Sequence, residues 1–258
     1  MRLHYIFIQL SNVAMIKREV GKDFTFYFIC FLLLMIGNNI NAQKISIHFQ
    51  NKAGDKILQA DSNYQNAFGE NFTVRNFKYY ISNIVFYDSV KTQTYPDQYF
   101  LIDNADSASQ QIELNTSLKN ITAIKFLLGV DSLKNVSGIQ TGALDPAKGM
   151  FWTWNTGYVM AKLEGNSPSA NMPQHAFSYH VGGYKQNEKT AKEIILQLPQ
   201  KINCTNNCVI TIQADILKWF NSAHEIKIAT TPFCHEPGKL ATILADNYSN
   251  MFSIESAK

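Results

Sequence analysis

The sequence predicts a mostly β fold, an antiparallel β-sandwich with short connecting helices. Three observations carry that reading: apolar residues recur at period two, strands follow one another closely, and helical signals between them are brief. The first strand, Lys44-Ile45-Ser46-Ile47-His48-Phe49, alternates cleanly. Phe72 to Val74 comes next, and Tyr79 to Tyr87 is rich in aromatic and β-branched residues, which suit a pleated surface. Further strands are expected at Tyr99 to Ile102, Gln111 to Leu114 and Ile121 to Leu128. Met150 to Leu163, Phe177 to Val181, Glu193 to Leu198 and Val209 to Ala214 complete the series. Short helices are expected after Asp131, after Asp215 and over Leu240 to Ala245, following Pro237-Gly238.

The first 42 residues read as a leader. Lys17, Arg18 and Lys22 form a positive region, Phe24 to Ile36 is apolar apart from Thr25, and Ala42 precedes the polar Gln43. A charged start, a short apolar run and a small residue describe a secretory signal peptide. The run falls short of the roughly 20 residues a membrane-spanning helix needs. Residues before Met15 read as an upstream extension, with Met15 a plausible start. Cys30 has no small residue before it, which argues against a lipoprotein. Residues 43–258 then form one domain, expected in the periplasm or at the cell surface and not membrane-spanning after cleavage. The leader carries four Lys/Arg and two Asp/Glu, so 19 of the 23 basic and 18 of the 20 acidic residues remain. A net charge near +1 without basic clusters excludes a nucleic-acid-binding surface.

Three cysteines follow the leader. Cys204 and Cys208 flank Thr205-Asn206-Asn207, a turn-forming stretch, so a local disulfide is the first expectation in an oxidising compartment. Pairings through Cys234 and a three-thiolate metal site remain alternatives.

The unusual stretch runs from Leu144-Asp145-Pro146 through Gly149-Met150-Phe151-Trp152-Thr153-Trp154-Asn155-Thr156-Gly157-Tyr158. Two tryptophans two apart on one strand share a face, and on residue types alone they read as a core stripe. Other blocks accompany them in order: Phe77 to Ile84, Leu128-Gly129-Val130-Asp131, Phe177 to Gly183, Cys234 to Gly238, and Ala245-Asp246-Asn247-Tyr248 with Met251-Phe252. Together these resemble the MbnP-like family, secreted bacterial proteins related to the partner protein of methanobactin operons and to the copper proteins MopE and CorA. The resemblance implies a single copper ion as cofactor, held by histidines and a tryptophan oxidised to kynurenine. It also implies a di-haem partner resembling cytochrome c peroxidases and MauG. Carried over, His180 is the histidine in a family-like block, and Trp152 and Trp154 are the candidates for oxidation. One departure stands out: neither tryptophan has a histidine two residues away.

On its own chemistry, the chain offers imidazoles, which suit copper. His180 leads. His175 lies five residues earlier, beyond the reach of one strand face unless a turn intervenes, and Asn171-Met172-Pro173-Gln174 supplies a loop, with Met172 a possible thioether. His48 faces away from Ile47 and Phe49, on a strand that would hold it rigidly. The metal candidates are therefore His180, His175, His48, Trp152 and Trp154. His224 reads as a surface residue, and Cys234-His235 are neighbours rather than spaced for one ion. Asp131, Asp145 and Glu164 read as turn or cap residues. No Cys-x-x-Cys pair, His-Glu-x-x-His run, haem-attachment motif, Gly-x-Ser-x-Gly elbow or phosphate loop appears, so no enzymatic role is expected. Two functions compete: an exported copper-binding protein modified by its partner, and an exported β-sandwich interaction module without metal.

Overall fold

The computed structural model describes residues 43–154, 157–205 and 207–258. The leader expectation for residues 1–42 lies outside them. Among the described residues no helix is long and apolar enough to cross a membrane.

In chain order the strands are β1 (Gln43–Ala53), β2 (Lys56–Ile57), β3 (Asn63–Gln65), β4 (Asn71–Tyr87) and β5 (Thr92–Asp103). Then come β6 (Gln111–Thr116), β7 (Asn120–Leu128), β8 (Phe151–Trp152), β9 (Gly157–Asn166) and β10 (Ala176–Gly182). The last four are β11 (Lys192–Asn203), β12 (Cys208–Asp215), β13 (Phe233–Cys234) and β14 (Phe252–Ala257). They form a smaller sheet, β14-β12-β1-β2 with β6 also on β1, and a larger one, β11-β7-β4-β9-β10-β13 with β3, β5 and β8 as side members. The two sheets make a sandwich. It is mostly antiparallel, but β1 pairs with β12 and β10 with β13 in parallel.

Period-two burial is what holds the layers together. Ile45, Ile47 and Phe49 of β1 point inward, as do Phe77, Tyr79 and Ile81 of β4 and Phe177, Tyr179 and Val181 of β10. Phe49 meets Tyr79 and Phe126 edge-on, each at 6.0 Å between ring centres, a favoured arrangement of ring quadrupoles. A second apolar cluster lies apart from this core and includes Tyr80, Leu144, Met150, Trp152, Tyr158 and Met160.

Two strand expectations change, and the three short helices appear where expected. Phe72–Val74 and Tyr79–Tyr87 are one 17-residue strand, β4, which slips register between Val74 and Asn76 against β9 and between Ser82 and Ile84 against β5. Met150–Leu163 is two strands, since β8 and β9 pair with each other antiparallel, Phe151 opposite Tyr158 and Trp152 opposite Gly157. The short helices appear at Ser132–Asn135, Ile216–Trp219 and Lys239–Tyr248. Asp131 and Asp215 cap the first two by accepting from the backbone N–H groups of Lys134 and Leu217, which satisfies otherwise orphaned donors. Cys204 and Cys208 are joined by a disulfide, and Cys234 is free and buried.

Candidate metal centre

The outer face of the larger sheet follows directly from the alternation that builds the core. When Phe177, Tyr179 and Val181 turn inward, Ser178, His180 and Gly182 must turn outward. On β9 the same parity sends Ala161 and Leu163 in, and Lys162 and Glu164 out. Antiparallel register then sets Ser178 opposite Glu164 and His180 opposite Lys162. On the other side of β9, β4 brings Asn76 opposite Glu164 and Lys78 opposite Lys162. Gly165 permits this tight β4–β9 approach: a Cβ there would lie 1.8 Å from the Thr73 carbonyl oxygen.

Strand β13 completes the centre. It is only two residues long, yet the Ser178 N–H donates to the Pro232 carbonyl at 2.8 Å and the Tyr179 hydroxyl to the Thr231 carbonyl at 2.6 Å. With Cys234 buried beneath, the next residue, His235, emerges on the outer face. Its ring stacks on that of His180, with centres 3.8 Å apart and planes within 18°. Phe233 flanks it at 4.0 Å.

Hydrogen bonds orient the pair. His180 Nε2–H donates to Glu164 Oε1 at 2.6 Å, and Asn76 Nδ2 donates to Glu164 Oε2 at 2.9 Å. The Ser178 hydroxyl donates to His235 Nε2 at 2.7 Å and stands 3.3 Å from His180 Nε2. Both Nε2 atoms therefore converge on one hydroxyl. The hydrogen bond from His180 lowers the Glu164 carboxyl to about 2, so it is ionised at neutral pH. Burial, with His180 adding to it, lowers His235 to about 4, which leaves its imidazole uncharged.

Lys162 lies beside these groups, 9% exposed, and its ammonium donates to the Gly149 carbonyl at 2.6 Å. Gly149 ends the short turn Pro146–Lys148 that leads into β8. Trp152 is 7% exposed, and its ring covers Gly182, where a Cβ would come within 2.7 Å of it. Trp154 is 64% exposed and lies 5.5 Å from Trp152, ring centre to ring centre. The tryptophans are thus neither a shared strand face nor a core stripe; one is buried against β10 and the other stands in the turn.

The remaining sequence candidates lie elsewhere. His48 is on β1 in the smaller sheet, opposite Thr211 and Gln111. His175 precedes β10 in left-handed backbone (φ 54°) and places Nδ1 3.2 Å from the Ala170 carbonyl. Neither is brought to His180. Asp131 and Asp145 cap turns, whereas Glu164 lies within β9 and belongs to the centre. His235 is the residue that spacing overlooked, although it stands in the Cys234-His235-Glu236-Pro237-Gly238 block.

Chemically, the arrangement does not make a hydrolytic triad. Glu164 engages the same nitrogen of His180 that faces Ser178, whereas a triad needs the carboxylate on the opposite ring nitrogen of the base. Two Nε2 atoms near one point could serve a soft or borderline cation once His180 gives up its Nε2 proton and Ser178 releases His235. Among the described residues no three or more His, Cys, Asp or Glu side chains already form a metal cage. The centre is a two-imidazole site with a carboxylate held by one of the rings, a donor set compatible with copper.

The sequence profile of the MbnP family matches residues 42–236, which includes β9, β10 and His235. The chain belongs to the MbnP family. A solved structure, MbnP from Methylosinus trichosporium, shares its fold with a TM-score of 0.52. The two are 12% identical, and the match covers 71% of this chain and 79% of the other. No curated protein matches the sequence. The described domain thus has the MbnP fold, and its histidine pair lies on the outer face of that fold's larger sheet.

Proposed function

We propose that this MbnP-family chain is an exported protein that holds one copper ion between His180 and His235. The observation that supports the reading is the pair of facing imidazoles whose Nε2 atoms converge on Ser178, with Glu164 tied to His180. Neutral imidazole is a copper ligand, and His235 is uncharged at neutral pH. Ser178 and Glu164 act as the partners that orient the two rings, the usual task of groups just outside a metal's own ligands. The ion is cargo, and no catalytic activity is part of the proposal. Removal of residues 1–42 would deliver the protein to the periplasm or cell surface.

The tryptophan pair supports a second element. In this reading Trp152 or Trp154 is oxidised to kynurenine by a di-haem partner resembling MauG and cytochrome c peroxidases, with peroxide as terminal oxidant. The indole C2–C3 bond is cleaved with oxygen added at both carbons, and hydrolysis releases the C2 carbon as formate. Trp154 offers the exposed ring, and Trp152 connects it to the strand that bears His180.

Intact mass and metal content of the protein from its native host test both elements. The expected result is one copper per chain and a kynurenine-sized mass change that Trp152→Phe or Trp154→Phe abolishes. His180→Ala and His235→Ala should each lose the copper, while His48→Ala and His175→Ala retain it. An unmodified mass without copper would leave the second reading, an interaction module. The exposure of Leu133, Val136, Ile139 and Trp154 supports that alternative.

A further inference from the structure

We infer that Lys162 sets the charge preference of the centre, biasing it toward a singly charged copper ion over a doubly charged one. The inference rests on the copper reading above. Lys162 is on the same outer face as Glu164, two residues before it, and directly opposite His180 in the β9–β10 register. Cross-strand neighbours on one face have their side chains roughly 5 Å apart at the root. Burial leaves the ammonium poorly screened, and the bond from Nζ to the Gly149 carbonyl, 2.6 Å long, holds it against the sheet.

Neighbouring charges do not cancel it independently of the ion. Lys78, the other cation beside Lys162, is paired with Asp103 at 2.8 Å. Glu164 is the nearby anion; its bonds to His180 and Asn76 orient the carboxylate without removing its charge, so it partly offsets Lys162. Glu164 alone would favour the more highly charged ion. Lys162 opposes it, and its repulsion grows in proportion to the charge on the metal. For charges on the order of 8 Å apart, the scale of long side chains on neighbouring strands, an effective dielectric near 20 makes each added unit of ion charge roughly thirtyfold less favourable. Solvent at the open side of the centre reduces this to about tenfold.

The test compares Cu(I) and Cu(II) affinities of the full mature protein, each measured by competition with a chromophoric chelator. Lys162→Gln retains a donor for the Gly149 carbonyl and removes the charge; Lys162→Met is the second neutral variant should Gln disturb the fold. Lys162→Arg keeps the charge. In both neutral variants the ratio of Cu(I) to Cu(II) affinity should fall about tenfold, equivalent to a copper potential about 59 mV lower, while Lys162→Arg stays near wild type. An unchanged ratio in the neutral variants, with copper still bound, overturns the role of Lys162 and leaves the copper site standing. Failure of the wild-type protein to bind either ion overturns the copper reading itself.

Discussion

Replacing Glu164 by Gln tests the electrostatics of the centre without emptying it. The amide matches the carboxylate in shape and can still accept from Asn76, but the charge that His180 Nε2–H meets at 2.6 Å is gone. In the folded protein the carboxyl titrates at about 2 rather than at 4.5. At about 1.4 kcal/mol per pH unit the displacement sets a ceiling near 3 kcal/mol. The Glu164 side chain is 25% exposed, so screening brings the expected loss to about 1–2 kcal/mol at pH 7. The sign follows from the lowered folded value. Glu164 contributes its full stabilisation above the unfolded value of 4.5 and loses it as pH falls toward about 2. Urea unfolding of both proteins, followed by tryptophan fluorescence at pH 7, 5, 4 and 3, measures the difference. It should shrink by more than half at pH 3. Because the Glu164 charge also raises His235, the same comparison in a His235→Asn background separates the two groups. A gap of equal size at pH 7 and pH 3, or none at pH 7, would refute the Glu164 carboxylate bonded to His180 as a source of stability.

Three other outcomes are expected. Gly165→Ala, whose Cβ would meet the Thr73 carbonyl oxygen at 1.8 Å and the Phe177 ring at 2.8 Å, should cost about 3 kcal/mol or more in thermal or urea unfolding. Replacing Cys204 and Cys208 together by Ser opens a loop closed across a separation of 4 residues, and a loss of about 2 kcal/mol in chemical denaturation is expected, small because the loop is short. His235 has a folded value lowered to about 4 against an ordinary 6.5, so the unfolded chain takes up the proton first. Stability should therefore fall as pH drops from 6.5 toward 4, and His235→Asn should flatten that slope in a series of thermal melts.

Much of the centre was legible in one dimension. Alternation in Phe177-Ser178-Tyr179-His180-Val181 already implies that Ser178 and His180 share the outward face, because a strand's period is two whatever its neighbours. The same rule separates Cys234 from His235 and sends His48 away from Ile47 and Phe49. The Trp152–Trp154 stretch was misread as continuous strand because its apolar density outweighed Asn155 and Gly157, residues that favour turns. Glu164 was misread for a related reason: nothing local distinguishes a carboxylate that caps a turn from one that meets a histidine on the next strand.

The sequence by itself determined most of the longer strands, their inward and outward faces, and the capped turns after Asp131 and Asp215. Each depends on residues near one another along the chain. Only the tertiary structure decided that His180 meets His235, 55 positions later, rather than His175, five positions before it. That choice depends on which strand edges pair. The two-residue parallel contact of β13 with β10 brings the imidazoles together. The β9 register places Glu164 and Lys162 beside them, and the β4 register adds Asn76. Pairing of this kind is a long-range compromise among backbone hydrogen bonds, core packing and close approaches such as that at Gly165, and no local pattern encodes it.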